Sequence, residues 1–173
     1  MKAKYYLGTF TIKNKKWVSS YAREVKCIYF ITYKKKDIVE FMEKENIDGG
    51  GAYDVKLTPC KEEDLTGVYW TDGYSELMRV GEDNVIGKID VRRREFLVSW
   101  ESREHDGEYA RVLRRENFIV TDTSSRSAGD RANRYATRMR YCYGENYTFY
   151  TITDIEEEIK KVKASKDFVI ITD

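Results

Sequence analysis

Short runs in which every second residue is apolar or aromatic recur along most of the chain. This period of two is typical of β-strands, because successive side chains in a strand point to opposite faces of a sheet. The runs cover residues 4–12, 26–33, 53–57, 64–70, 76–80, 85–91, 95–100, 108–120, 147–152 and 168–171. Pro59 is the only proline, so nearly every segment keeps the backbone donors that a sheet requires. The pattern therefore predicts a fold rich in β-strands.

Three segments have apolar residues at helical spacing and predict helices over residues 37–46, 127–143 and 153–165. The first and third begin with the residue pairs of a capping box, Asp37 with Glu40 and Thr153 with Glu156. The second follows a group of capping side chains at residues 122–125. Its predicted buried stripe consists of Ala128, Ala132, Tyr135 and Met139.

Together these elements predict an α+β protein, with a mostly antiparallel sheet, a central β-meander and about three packed helices in a single compact domain, 1–173. Its sub-units would be residues 1–60, residues 61–122 with the meander, and residues 123–173. The order strand, helix, strand occurs at both 27–57 and 147–171. The two segments share only an Ile-Thr pair near a strand end, which is too little to indicate an internal repeat.

Charge is nearly balanced over the whole chain but not along it. The 31 basic and 30 acidic side chains give a net charge of +1. Residues 1–60 carry +5, residues 61–107 carry −5, residues 108–143 carry +4 and residues 144–173 carry −3. This distribution excludes a uniformly acidic nucleic-acid mimic and a uniformly basic coat protein, but it permits a local basic surface.

The strongest candidate for such a surface is the second predicted helix. At 100° per residue, Arg131, Arg134 and Arg138 fall within about 60° of one another, beside the stripe that contains Tyr135. Three guanidinium groups on one flank could bind phosphates or the carboxylates of a protein. The alternative is a solvated helix face that pairs with local acids such as Asp130.

Two further basic clusters are candidates. Arg92, Arg93 and Arg94 are predicted to form a hairpin tip or a bulge in the meander, with cross-strand pairing to nearby glutamates as the alternative. Trp17 follows a lysine-rich turn and could stack on a nucleic-acid base, although such turns most often serve solubility.

Neither a catalytic constellation nor a metal site can be derived from the sequence. Its three cysteines are far apart and its single histidine, His105, accompanies no nucleophile motif, so we expect no catalytic residues, no metal and no cofactor. No run approaches the roughly 18 apolar residues of a membrane span, and the first residues lack a signal-peptide pattern. The sequence therefore favours a cytoplasmic protein without catalytic activity and without a membrane partner.

The 14 tyrosines and the many arginines are residue types enriched where proteins meet partners. The leading hypothesis is a non-catalytic binding protein, an inhibitor or adaptor that acts on another protein or nucleoprotein. The composition suits a phage or mobile-element accessory protein that blocks a host defence nuclease, which would act in the host cytoplasm. The alternative is direct nucleic-acid binding through the arginine helix and hairpin tip, and a further alternative is a small nucleotide-binding protein or enzyme.

Overall fold

The computed structural model describes residues 1–13, 25–71, 85–106, 109–142 and 146–172. The chain divides into two compact units, Met1–Arg92 and Arg93–Asp173. Within the described residues, no helix combines the length and the apolar character that crossing a membrane requires.

In its described residues, the first unit consists of a four-stranded sheet and one α-helix. Its elements in chain order are β1 (Lys4–Ile12), β2 (Val25–Thr32), α1 (Lys35–Lys44), β3 (Tyr53–Cys60), a short 3₁₀ helix (Glu62–Leu65) and β4 (Val85–Asp90). The strand order is β3-β1-β2-β4. β1 pairs antiparallel with both β2 and β3, and β4 runs parallel to β2.

The described part of the second unit consists of a four-stranded sheet and two α-helices. Its elements are β5 (Arg94–Asp106), β6 (Tyr109–Asp122), α2 (Ser125–Arg138), β7 (Tyr147–Thr153), α3 (Glu156–Ser165) and β8 (Val169–Ile171). The strand order is β7-β5-β6-β8. β5 pairs antiparallel with β6 and β7, and β8 runs parallel to β6.

The two units therefore repeat one topology, and their central strands share one register. Lys4 pairs with Thr32 in the first unit, and Arg94 pairs with Asp122, each 90 positions later, in the second. The helices after these strands begin at positions 35 and 125, again 90 apart. The counterpart of β2-α1-β3 is β6-α2-β7, so the segments that the sequence analysis compared were out of phase, and its rejection of a repeat was wrong for the structure.

The two cores differ mainly in the helix side chains that they bury. In the first unit α1 buries Ile38, Phe41 and Met42 against a sheet that contains Phe10 and Phe30. In the second unit α2 buries small residues, Ala128, Ala132 and Ala136, against a sheet that contains Trp100 and Phe118. Both sheets thus contribute large aromatic side chains, and only the helix of the second unit packs through small ones.

The predicted α+β class and the three helices are confirmed, and antiparallel pairings outnumber parallel ones in both sheets. The strands form two sheets rather than one. The predicted single domain and its sub-units stay predictions, although the boundary between the compact units lies at 92/93.

The predicted hairpin tip at Arg92–Arg94 is wrong. The strand before it, β4, belongs to the first sheet, and the strand after it, β5, belongs to the second. The long hairpin of the second unit is instead β5-β6, and His105 lies in β5 of that hairpin. Periodicity identified the strands on both sides of the arginines, but it does not say which strands pair.

The predicted strand at 64–70 is also wrong, because Glu62–Leu65 forms a 3₁₀ helix. There the carboxylate of Asp64 accepts a hydrogen bond of 2.8 Å from the amide of Lys61, which stabilises a turn over an extended chain. Trp70 contributes only an isolated bridge to Lys88. The run at 76–80 lies outside the described residues.

The three helices occur near their predicted positions, but two of the predicted caps do not form. α1 begins at Lys35 after an uncapped Lys34, and α3 begins at Glu156 after an uncapped Ile155. The hydroxyl of Thr153 accepts from the amide of Ile155 at 3.2 Å, which forms a tight turn while β7 continues through Thr153.

α2 ends at Arg138, five residues before its predicted end, because Arg140 has a left-handed backbone with φ of 57°. Its buried stripe consists of Ala128, Ala132 and Ala136 at intervals of four residues, with Tyr135 packed beside it. Met139 follows the helix and is 48% exposed, so its predicted place in the stripe is wrong.

Gly129 allows α2 to approach β7 closely, since a Cβ atom there would stand 2.7 Å from side-chain carbons of both Tyr150 and Ile152. We expect Gly129→Leu to lower the free energy of unfolding by about 1–3 kcal/mol through overpacking. Thr137→Leu, on the exposed side of α2, is the control and should change it by less than about 0.5 kcal/mol. Urea denaturation measures both, and equal stability of the two variants would contradict close packing at Gly129.

Candidate binding surface

α2 is the element on which three of the predicted binding residues lie. It begins where the sequence predicted a cap, since the hydroxyl of Ser124 accepts from the amide of Ser127 at 3.2 Å. Its small buried residues leave the outer face to polar and charged side chains. The helix as a whole is strongly basic, because it carries four arginines and one acid, Asp130.

Arg131 points toward the core side of this helix and belongs to a buried network. Its Nη1 donates to the carboxylate of Asp122 at 3.2 Å and to the carbonyl of Thr121 at 3.0 Å. Asp122 is fully buried and also accepts from the Thr123 amide at 2.7 Å and the Ser127 hydroxyl at 2.9 Å. The side chain of Arg131 is only 13% exposed, which leaves little of its guanidinium for a ligand.

Arg134 and Arg138 are exposed and lie one helical turn apart, on the outer face of α2. Arg134 donates from Nε to the carbonyl of Asp130 at 3.3 Å, a contact that leaves its charge uncompensated. Within the described part of the chain, neither arginine forms an ion pair, and the exposed Arg140 forms none either. We call Arg134, Arg138, Met139 and Arg140 the α2 patch.

Tyr135 is half-buried and contributes to an aromatic cluster rather than to the exposed face. Its ring lies 5.7 Å from Phe118 and 6.4 Å from Tyr141 in edge-on contacts, measured between ring centroids. The guanidinium of Arg114 covers Tyr141 at 3.6 Å from the ring centroid, and the same arginine pairs with Glu116 at 2.6 Å. This cluster supports the C-terminal half of α2 and so positions the α2 patch.

Each of the three arginines at 92–94 already has an interaction partner. Arg92 forms a bidentate pair with Asp90, with a shortest distance of 2.6 Å, and lies over the ring of Tyr33. These hydrogen bonds to Asp90 raise the pKa of Arg92. Arg94 pairs with Asp154 at 2.8 Å, and Arg93 also has an interaction partner. Trp17 lies outside the described residues.

Burial perturbs the pKa of two further groups in the first unit, Cys60 and Tyr5. Burial raises the pKa of the Cys60 thiol, and the nearby Asp64 carboxylate raises it further. Burial also raises the pKa of Tyr5, with a second contribution from its hydrogen bond to Glu62. The described residues contain no group of three or more His, Cys, Asp or Glu side chains that could hold a metal ion.

The structure thus keeps Arg134 and Arg138 as candidates and adds Met139 and Arg140, which sequence reasoning had not selected. The face of Ala128, Ala132 and Ala136 would include Met139 if the helix continued, so no periodicity indicates its exposure. Met139 is exposed because the helix ends at Arg138.

The Arg131 network predicts that this arginine serves stability. Arg131→Ala removes a cation that is paired with the buried Asp122 carboxylate, and we expect it to cost about 3–5 kcal/mol of unfolding free energy. Arg138→Ala, on the same helix, should cost less than about 0.5 kcal/mol. Urea denaturation at neutral pH measures both values. Equal costs for the two variants would show that the Asp122 pair does not stabilise the unit.

Comparison with known proteins assigns no function to this surface. No protein-family model, no curated protein and no solved structure matches the chain. Any functional assignment must therefore come from the contacts, exposure and charge of the residues described above.

Proposed function

We propose that this protein is a non-catalytic binding protein, an inhibitor or adaptor that attaches through the α2 patch to an acidic surface of another protein or nucleoprotein. The observation that supports this proposal is the half-exposed Met139 among arginines that pair with no carboxylate of the described residues. Arginine and methionine are enriched in protein interfaces, whereas lysine and glutamate are depleted there. The α2 patch consists of arginines and a methionine, and it contains neither lysine nor glutamate.

The charge of the α2 patch favours a partner with acidic side chains. Arg134, Arg138 and Arg140 lie close together in sequence, and no acidic side chain of the described residues neutralises them. Complementary charge steers association and selects against basic partners. Met139 adds apolar area that an acidic partner can bury at the centre of the contact.

Direct nucleic-acid binding is the second candidate, because guanidinium groups also form bidentate hydrogen bonds with phosphates. The exposure of Arg134 and Arg138 supports it as well. Met139 favours the protein partner, since phosphate recognition gains nothing from an exposed thioether. A phage or mobile-element inhibitor of a host defence nuclease, acting in the cytoplasm, is one specific form of the first proposal.

Affinity capture tests the proposal with a matched pair of variants. Arg134→Ala with Arg138→Ala removes two charges from the α2 patch, and Lys160→Ala with Lys161→Ala removes two exposed charges from α3. Each is immobilised beside the wild-type protein and incubated with lysate of the cells in which the protein acts, with and without nuclease. We expect a protein that the wild type and the α3 variant retain equally, and that the α2 variant retains about tenfold less, as for a hot spot.

The nuclease arm separates the two candidates. A partner that survives nuclease supports protein binding, and one that nuclease removes supports nucleic-acid binding. In the second case, a plot of log binding constant for DNA or RNA against log salt concentration has a negative slope. Its magnitude should decrease by about 0.9 for each phosphate contact that the α2 variant loses. Equal retention of every partner by the α2 variant and the wild type would contradict both candidates.

A further inference from the structure

The outer edge of β3 in the first unit has backbone groups that the sheet does not use. Among the strands that the structure describes, β3 pairs only with β1 and forms one edge of the sheet. The amide of Lys13 donates to the carbonyl of Ala52 at 2.9 Å, which fixes the phase of the ladder between β1 and β3. Because backbone groups alternate in direction along a strand, residues 54, 56 and 58 face β1, and Val55 and Leu57 face outward.

This open edge has a defined length. At one end the outward amide of Tyr53 donates to the carbonyl of Asp48 at 3.3 Å. At the other end Pro59 has no amide hydrogen to offer. Between them the amides and carbonyls of Val55 and Leu57 bond to no described residue. Two residues of an added strand would satisfy these four groups.

A groove of about 330 Å³ follows the same edge, between β3 and α1. Its apolar lining consists of Val39, Met42, Tyr53, Val55 and Leu57. The last three alternate along β3, so the groove has the period of an extended chain. Val39 is 42% exposed although it lies on α1 beside this lining, and it is the apolar group that an occupant would cover.

One end of the groove is positively charged. Lys35 lines it at the beginning of α1, is exposed, and forms no ion pair within the described residues. Lys34 and Lys36 flank it, and no side chain caps the helix. Lys13, at the other end, is paired with Asp54 at 3.6 Å. A carboxylate is therefore favoured at the Lys35 end, where the lysines and the helix dipole act together.

Lys35 lies toward the end of β3 rather than its beginning. α1 starts just after Thr32, which pairs with Lys4 at the beginning of β1. The last residue of β3, Cys60, pairs with Tyr5 at that same end of β1. The acidic group of an added strand would accordingly lie beyond Leu57.

We propose that the β3 edge binds an extended peptide segment of another protein as a fifth strand. Apolar side chains of that segment enter the groove at every second position, and an Asp or Glu contacts Lys35. The backbone of the segment pairs with Val55 and Leu57, a mode of recognition in which main-chain bonds give affinity and alternate side chains give specificity. This site lies in the first unit and does not depend on the α2 patch.

The probe is a displayed library of random nonapeptides, selected on the immobilised full-length protein. We expect the selected sequences to share alternating apolar residues with an Asp or Glu at one end. A synthetic peptide of the shared sequence is then titrated by fluorescence anisotropy. Binding should slow hydrogen exchange at the amides of Val55 and Leu57, and should leave the amide of Lys56 unchanged because it already faces β1.

Matched variants locate the site. Val39→Arg obstructs the groove and should lower the affinity for the peptide about tenfold or more. Leu113→Arg, at a residue of the second unit that is 43% exposed, should leave the affinity unchanged.

Lys35→Glu should also lower the affinity for the peptide. Lys56→Glu makes the same change of charge on the opposite face of β3 and should leave the affinity unchanged. Thermal unfolding of each variant verifies that it is folded.

Three results would overturn the proposal. One is a selection that enriches no alternating sequence. Another is a selected peptide whose affinity is unchanged by Val39→Arg. The third is protection of Val55 and Leu57 without peptide that rises with protein concentration, together with a dimeric mass by light scattering, which would assign the edge to a second copy of the chain. None of these results bears on the α2 patch, which is tested separately.

Discussion

In each unit the antiparallel pairing of the two central strands is the constraint on which the other elements depend. The register of β1 with β2 recurs in β5 with β6 at residues 90 positions later, and the helix that follows starts at the same distance from it. Once this pair is fixed, only its two outer sides remain for further strands. β3 and β4 occupy them in the first unit, and β7 and β8 occupy them in the second. The remaining two strands of each unit therefore become its edges.

The repeated register does not require repeated side chains. Positions 4–12 and 25–32 share one identity with the positions 90 later, Leu7 with Leu97. Gly8 corresponds to Val98, and Ile38 and Met42 of α1 correspond to Ala128 and Ala132 of α2. A core accepts such exchanges when the total volume and the polar pattern are kept. For this reason, neither residue identity nor periodicity along one chain indicated the repeat.

Local periodicity predicted most of the fold, because it records which side chains face a core. It gave β1 with its observed bounds and placed all three helices within a few residues. It failed where the outcome depends on distant partners, as for Arg92–Arg94, whose neighbouring strands belong to different sheets. The candidate site was predicted in part. Arg134 and Arg138 are exposed as expected, while Arg131 is held by Asp122, a residue whose burial no local pattern indicates.

Both proposed surfaces lie where the two units differ in helix length or in a side chain on the helix. α2 is 14 residues long and α1 is 10, so α2 continues one turn beyond the counterpart of Lys44. Arg138 ends that additional turn, with Met139 and Arg140 directly after it. In the first unit the difference lies beside α1, where Val39 stands at the position of Gly129 and remains exposed over a groove. At Gly129 the helix instead closes onto Tyr150 and Ile152, which leaves no room for an occupant. A shared topology thus keeps each unit stable, and side chains that this topology does not require are free to bind partners.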